Sequence, residues 1–256
     1  MPIAAGLYYF VHHHKMFNIP PVLLIHGAGG SHLSWPSEIR RLSGFDVYAI
    51  DLPGHGKSDG HGEQSIQAYA EHVLRWMETL NQYRVIMVGH SMGAVIALTI
   101  ARMNPARVAG LGLIGVGTPI TVPVDLIENL SNPAMASAAL NQIKTLSFSP
   151  NAAPRLVELA SRQLADTRIS VLRGDFLACA RFNVEDILEQ ITLPVIVIAG
   201  AQDQMAPLQY HQLLTKKLKG AVLSTIPDTG HMVMLERPQE VAEHLRNFLH
   251  SHEFIV

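Results

Sequence analysis

The chain has 256 residues, 48% of them hydrophobic and 16% charged, with a formal net charge of −2. That length carries one large domain or two small ones, and that balance describes a core-rich globular protein, not a disordered one. The near-neutral charge supplies no general attraction for nucleic acid or an anionic membrane, either of which calls for a basic face.

Cys179 is the single cysteine, so no disulfide can form within the chain, which suits a reducing compartment. The opening stretch from Met1 to Phe10 lacks the basic region of a signal peptide, and no apolar run reaches the roughly 18–20 residues that span a bilayer. The expectation is a cytoplasmic protein without a membrane partner.

In chain order, Leu7 to Val11 and the region before Pro20 read as an antiparallel hairpin, with His12, His13 and His14 near its turn. Nearly continuous apolar runs follow at Val22–Ile25, Val47–Ile50, Val85–Val88, Leu111–Ile114 and Val195–Ile198, with a further candidate at 221–226. Such runs suit strands covered on both faces, as in a parallel sheet. Between Ser65 and Leu80, apolar residues at 66, 69, 73, 77 and 80 form one helical stripe. Met92–Met103 is apolar nearly all round and predicts a buried helix ending before Pro105. Helices are also expected over 207–219, where lysines gather at the C-terminus, and from Pro238, with Val241, Leu245, Phe248 and Leu249 on one side. Strand–helix alternation of this kind implies right-handed crossovers and a doubly wound α/β fold. From 119 to 190 the rhythm breaks into helical patterns, including 134–146 and 153–164, without a convincing strand. The expected division is therefore a core of 1–118 and 191–256 with a helical insertion over 119–190 on top of the sheet.

Gly89-His90-Ser91-Met92-Gly93 lies directly after a predicted strand and before a predicted helix. A serine hydroxyl is a poor nucleophile until a base takes its proton, and it must project where substrate can reach it. A sharp strand-to-helix turn does this, and glycines at both flanks leave room for neighbouring backbone. The free N–H groups of the new helix point toward an oxygen that becomes negative during acyl transfer. The loop His26-Gly27-Ala28-Gly29-Gly30-Ser31 follows the first apolar strand. In a hydrolase, the N–H of Ala28 and that of Met92 would form an oxyanion hole. A phosphate cradle is the competing reading, but the loop lacks the Gly-Lys-Ser/Thr that nucleotide binding needs. Gly56-Lys57-Ser58 has those three residues, yet Asp51 stands where the leading glycine belongs. Asp51 itself is read as a turn-capping carboxylate.

Among 14 histidines, position must decide. His231 lies on a loop between the last predicted strand and the last helix, at the sheet edge where open α/β sheets bind ligands. His26 and His90 are expected to pack or hydrogen-bond locally. The His12–His14 run lacks the Cys or acidic neighbours of a metal site, so no metal and no cofactor are expected. The base needs a carboxylate to fix its tautomer and stabilise its cation. Asp203 follows the strand at 195–198 and reaches the same edge. It is favoured over Asp228, whose Pro-Asp-Thr context reads as a turn, and over the remoter Asp125.

These features together resemble the α/β-hydrolase superfamily, in particular small esterases and lactonases with a helical cap. The resemblance runs from about Pro21 to Leu249. It rests on His26-Gly27, Asp51-x-Pro-Gly-x-Gly-x-Ser58, Gly89-x-Ser91-x-Gly93, the Val197–Asp203 stretch, and Gly230-His231 with Glu236-Arg237-Pro238. It implies a triad of Ser91, Asp203 and His231, oxyanion donors at Ala28 and Met92, a cap from about Pro119, and a structural role for Glu236 and Pro238. Serine at the elbow departs from haloalkane dehalogenases and epoxide hydrolases, which carry aspartate there. Ala94-Val95-Ile96-Ala97 holds no arginine, unlike many relatives acting on dianionic substrates, although Arg155, Arg162, Arg168, Arg173 or Arg181 of the insertion could substitute. The expected activity is hydrolysis of a small, largely apolar ester or lactone, a small-molecule substrate. The alternatives are a carbon–carbon bond hydrolase or lyase on the same triad, and a sensor with little turnover. Met135, Ile143, Leu146 and Phe148 are the expected pocket-lining residues.

Overall fold

The computed structural model describes residues 2–14, 19–252 and 254. Its strands are β1 (Ile3–Ala4), β2 (Leu7–His12), β3 (Val22–Ile25), β4 (Val47–Ile50), β5 (Val85–His90), β6 (Val108–Ile114), β7 (Val195–Gly200) and β8 (Val222–Ile226). Helices α1 (Ser37–Arg40), α2 (Ile66–Thr79) and α3 (Met92–Met103) alternate with the early strands. Five helices lie between β6 and β7: α4 (Val124–Ser131), α5 (Ala136–Ser147), α6 (Pro154–Asp166), α7 (Ile169–Ala180) and α8 (Glu185–Leu188). Then come α9 (Leu208–Lys217), α10 (Val233–Glu236) and α11 (Pro238–His250).

The eight strands make one sheet in the order β1-β2-β4-β3-β5-β6-β7-β8, parallel from β4 through β8. The doubly wound α/β expectation holds. Strands β3 to β7 are buried along their whole length, which is why their sequences run apolar without alternation. The pleat still separates two faces. Leu23 and Ile25 pack into a core with α2, α3, α8 and α9, whereas Val22 and Leu24 pack into one with α1 and α11. On α2 the buried residues are Ile66, Tyr69, Ala70, Val73, Trp76 and Met77, and the Ser65 side chain caps its start by accepting the Ala68 N–H.

Strand β2 pairs with β1 and with β4, both antiparallel. Ala5 and Gly6 both have positive φ, the geometry of a two-residue hairpin turn, so the hairpin closes upstream. Residues 15–18, part of the expected partner, lie outside the described residues. Helices α4 and α7 lie within the expected helical insertion, outside the two stretches 134–146 and 153–164. Val184, Ile187 and Leu188, at the end of the 119–190 stretch, bury in the core that holds α3.

The loops that follow β3, β4 and β5 are tied by buried histidines. His26 Nδ1 donates to the Gly27 carbonyl at 2.8 Å, and its Nε2 accepts the Leu52 N–H at 3.0 Å. His90 Nε2 donates to the His231 carbonyl at 3.0 Å. Burial first, then the neighbouring His55, lowers His26 to about 4. Burial first, then His231, lowers His90 to about 3. Asp51 fixes the loop after β4, accepting the His32 and Lys57 N–H groups and the His32 ring.

Two outcomes follow from this packing. A Cβ on Gly93 would overlap the Ile25 carbonyl oxygen, so Gly93→Ala is expected to lose about 1–3 kcal/mol in urea unfolding; an unchanged midpoint would refute the contact. Because unfolded histidines bind protons below about pH 6.5 while His26 and His90 stay neutral in the fold, stability should fall as pH drops from about 6.5 toward 4. Each histidine can contribute a slope of up to about 1.4 kcal/mol per pH unit. Urea midpoints at pH 7 and pH 4.5 measure this, and a flat profile would contradict it.

Candidate active site

The C-terminal ends of β5, β7 and β8 converge on one side of the sheet. At the end of β5 the chain turns into α3 through Ser91, whose φ of 52° is unusual for a non-glycine residue and costs on the order of 1–3 kcal/mol. The turn is held by Ser91 N–H donating to the Ile114 carbonyl at 2.8 Å, and by Ala94 N–H donating to the Ser91 carbonyl at 2.9 Å. The Ser91 side chain makes no capping hydrogen bond to the helix it starts. Its hydroxyl is thus left for another partner.

Asp203 sits in the loop after β7 and is almost fully buried. One oxygen, Oδ1, accepts the N–H groups of Met205 at 2.9 Å and Ala206 at 2.8 Å. The other, Oδ2, accepts His231 Nδ1 at 2.9 Å. Burial alone would raise this carboxyl, but the facing His231, by charge and hydrogen bond, and the Ala206 N–H together hold it below the usual carboxylate range. An ionised carboxylate only accepts, so Nδ1 of His231 carries a proton, and in the neutral ring the lone pair is then on Nε2. That is the tautomer a general base needs.

His231 arrives on the loop after β8, and that loop is anchored on both sides. Gly230 N–H donates to Glu236 Oε1 at 2.9 Å, and Glu236 also accepts the Ser149 hydroxyl at 2.5 Å. Met232 N–H donates to the Ser147 carbonyl at 2.9 Å. Glu236 therefore ties the histidine loop to the end of α5, a physical basis for the structural role the resemblance implied.

Ser91 and His231 border the same cavity, with a volume of about 280 Å³. Among the described residues no hydrogen bond joins the two side chains directly. Ala28 and Met92 also line this cavity, and among the described residues neither N–H donates to a protein acceptor, as expected for Met92 at the first position of a helix. The remaining wall is mostly apolar, with Val95, Val116, Ile120, Leu126, Phe176 and Met205, and it includes the polar but uncharged Thr121 and Gln204. No Lys, Arg, Asp or Glu borders it.

Of the four residues expected to line the pocket, Leu146 does so. Met135 is 40% exposed, Ile143 buries in the insertion's own core, and Phe148 packs under Gly230; none of the three reaches the cavity. The five arginines of the insertion also stay outside. Arg162 pairs with Glu158, Arg168 donates to the Gly60 carbonyl, Arg173 donates to Ser131, and Arg155 and Arg181 are exposed. Asp228 lies in a turn with φ of 52° and accepts Gln202, and Asp125 on α4 accepts Gln142 at 2.8 Å; among the described residues neither hydrogen-bonds to His231. His13 contacts Asp46 at 3.1 Å, and no metal-binding group of three such residues lies among those described. No helix among the described residues is long and apolar enough to cross a membrane. The sequence reading missed the loop after β6, whose residues 115–117 and 119–123 form much of the wall. Its only signal was its place after a central strand.

The Alpha/beta hydrolase family profile matches residues 22–244. The dihydrolipoyllysine-residue acetyltransferase component of the acetoin cleaving system of Pseudomonas putida is 28% identical over 91% of this chain, which spans 64% of that protein's length. Monoacylglycerol lipase ABHD6 of Mus musculus is 25% identical over 91% of this chain and 76% of its own. The enol-lactonase of Burkholderia xenovorans superposes with a TM-score of 0.88 at 21% identity, over 95% of this chain and 96% of that one. A profile match over most of the length, on a sheet of this order, settles the family: the chain belongs to the α/β-hydrolase family.

Proposed function

We propose that the chain is a serine hydrolase that cleaves a small, uncharged, largely apolar carboxylic ester or lactone through an acyl-enzyme. The observation that carries this reading is the shared cavity: a strained serine with an uncommitted hydroxyl and an imidazole held in the basic tautomer by a buried carboxylate. The names of the lipase and lactonase relatives support ester chemistry.

In this reading the Ser91 hydroxyl turns to His231 Nε2 when an ester carbonyl fills the cavity. Catalytic hydrogen bonds are often loose before substrate arrives. Ser91 Oγ attacks the carbonyl carbon as its proton passes to Nε2, and the carbonyl oxygen becomes an oxyanion facing the N–H groups of Ala28 and Met92. Asp203 stabilises the imidazolium. Collapse expels the alcohol, which takes the proton from Nε2, and leaves the acyl group on Ser91. Water then attacks, with His231 again as base, and the acid departs. The helical insertion serves as a cap that walls the acyl group from solvent.

The uncharged wall sets the substrate class. A carboxylate buried there without a partner would lose about 3–5 kcal/mol, and neither the stretch after Gly93 nor the insertion brings an arginine to meet it. This weighs against dianionic ring-cleavage substrates.

Ser91→Ala should lose turnover of an aryl butyrate and also labelling by a fluorophosphonate; retention of either contradicts the assignment. Asp203→Asn, which leaves the imidazole in the wrong tautomer, should lower kcat by about four orders of magnitude, and a loss below tenfold would count against Asp203. Between esters of equal length, a terminal carboxylate on the acyl chain should reduce kcat/KM by about 100-fold or more. Equal rates would disprove the uncharged-substrate reading.

A further inference from the structure

The loop carrying Ala28 is not self-supporting. Residues 27–30 form a turn closed by Gly30 N–H donating to the Gly27 carbonyl at 3.0 Å. Gly29, at its third position with φ of 64°, is gripped from three sides by the insertion. Its N–H donates to Asp175 Oδ2 at 2.9 Å, on α7. Its carbonyl accepts the Thr167 hydroxyl at 3.0 Å, from the link between α6 and α7. A Cβ added to it would come within 2.6 Å of Leu164 and 2.7 Å of Leu172.

Asp175 is fully buried and its two oxygens take three donors. Besides Gly29 N–H, Oδ2 accepts His55 Nε2 at 2.8 Å, and Oδ1 accepts the Tyr69 hydroxyl at 2.5 Å. His55 Nδ1 faces the Pro53 carbonyl at 3.0 Å. With the Pro53 carbonyl facing one ring nitrogen and Asp175 the other, His55 and Asp175 form a buried hydrogen-bonded pair. Burial would lower the His55 pKa, but the Asp175 charge and hydrogen bond outweigh it and raise it. One carboxylate from the insertion thus joins the loop after β3, the loop after β4 and helix α2.

We infer that Asp175, with Thr167, is a positioning residue for the reaction: by fixing both polar groups of Gly29 from the helical insertion, it aims the adjacent Ala28 N–H at the oxyanion. Ala28 is one peptide away from the gripped unit, and its own N–H has no competing acceptor among the described residues. Loss of an oxyanion donor typically lowers kcat by about 100–1,000-fold, and a donor acts only when it is preorganised at the right distance. Without the two anchors, the turn keeps its closing bond but can tilt as a unit. The inference rests on the serine-hydrolase reading, and it makes the insertion part of the catalytic machinery as well as a lid.

The test uses the full chain with Asp175→Asn and Thr167→Val. Thr167 is only partly buried, so its variant decides the matter if Asp175→Asn fails to fold. Aryl ester kinetics are measured beside inhibition by an alkyl trifluoromethyl ketone, whose carbonyl carbon bonds to Ser91 Oγ. The serine proton goes to His231 and the ketone oxygen becomes an oxyanion, so its Ki reads the hole directly. Asp175→Asn should lower kcat by about 10–100-fold with KM within about threefold, Thr167→Val less in the same direction, and Ki should rise in step with the loss in kcat/KM. If folded variants keep the wild-type kcat and Ki while the melting temperature falls, the residues only brace the fold and the inference is overturned. A loss confined to KM overturns it as well. Wild-type enzyme that is neither inhibited by the ketone nor labelled at Ser91 removes the serine-hydrolase reading, and this inference with it.

Discussion

The hydrogen bond between Asp203 and His231 is the constraint around which the rest of the site is arranged. It crosses from the loop after β7 to the loop after β8 at 2.9 Å, between two side chains that are almost fully buried. A buried carboxylate is tolerated only if its lone pairs are filled, and two backbone N–H groups together with one imidazole do that here. The same bond determines which imidazole nitrogen is basic and where it faces. His211 adds to this setting: its Nε2 lies 3.9 Å from Asp203, and neither ring nitrogen has a well-formed hydrogen bond. Burial, the largest influence, lowers its pKa, so it stays neutral and leaves Asp203 to His231.

Much of this was legible in the residues because several independent rules converge on the same positions. The five central strands are continuous apolar runs with nothing to compete with a doubly covered sheet, and each formed where expected. The stripe on α2 and the all-apolar α3 required a core-facing and a buried helix. Glycines around Ser91 mark a close approach of backbone, and Gly93 does lie against β3. Position at the sheet edge separated His231 from thirteen other histidines, because chain order and crossover handedness bring the loops after β5, β7 and β8 together.

What escaped the sequence reading depends on how elements pack when no periodic pattern specifies the partner. The hairpin at the start required knowing that Ala5 tolerates a positive φ. Which residues of α5 and its start meet the cavity depends on the path of α4 and α7, so Met135 and Leu146 look alike in sequence although one faces solvent and the other borders the cavity. Asp175 did leave a signal, a carboxylate inside a mostly apolar run from Val171 to Cys179 whose one other charged residue is Arg173. Its partners lie 106–146 residues away, and only the fold brings them within reach.

In the proposed reaction the nucleophile, the base and its carboxylate stand at strand ends, and the acyl wall comes from the loop after β6 together with helices of the insertion. The measurement that tests this most directly is a crystal structure of the protein after reaction with an alkyl phosphonate ester. The account predicts phosphorus bonded to Ser91 Oγ, the phosphonyl oxygen hydrogen-bonded to the Ala28 and Met92 N–H groups, His231 Nε2 within reach of Ser91 Oγ, and the alkyl chain against Val95, Leu126 and Phe176. An adduct on another residue, or one at Ser91 with His231 turned away and the phosphonyl oxygen in solvent, would contradict it.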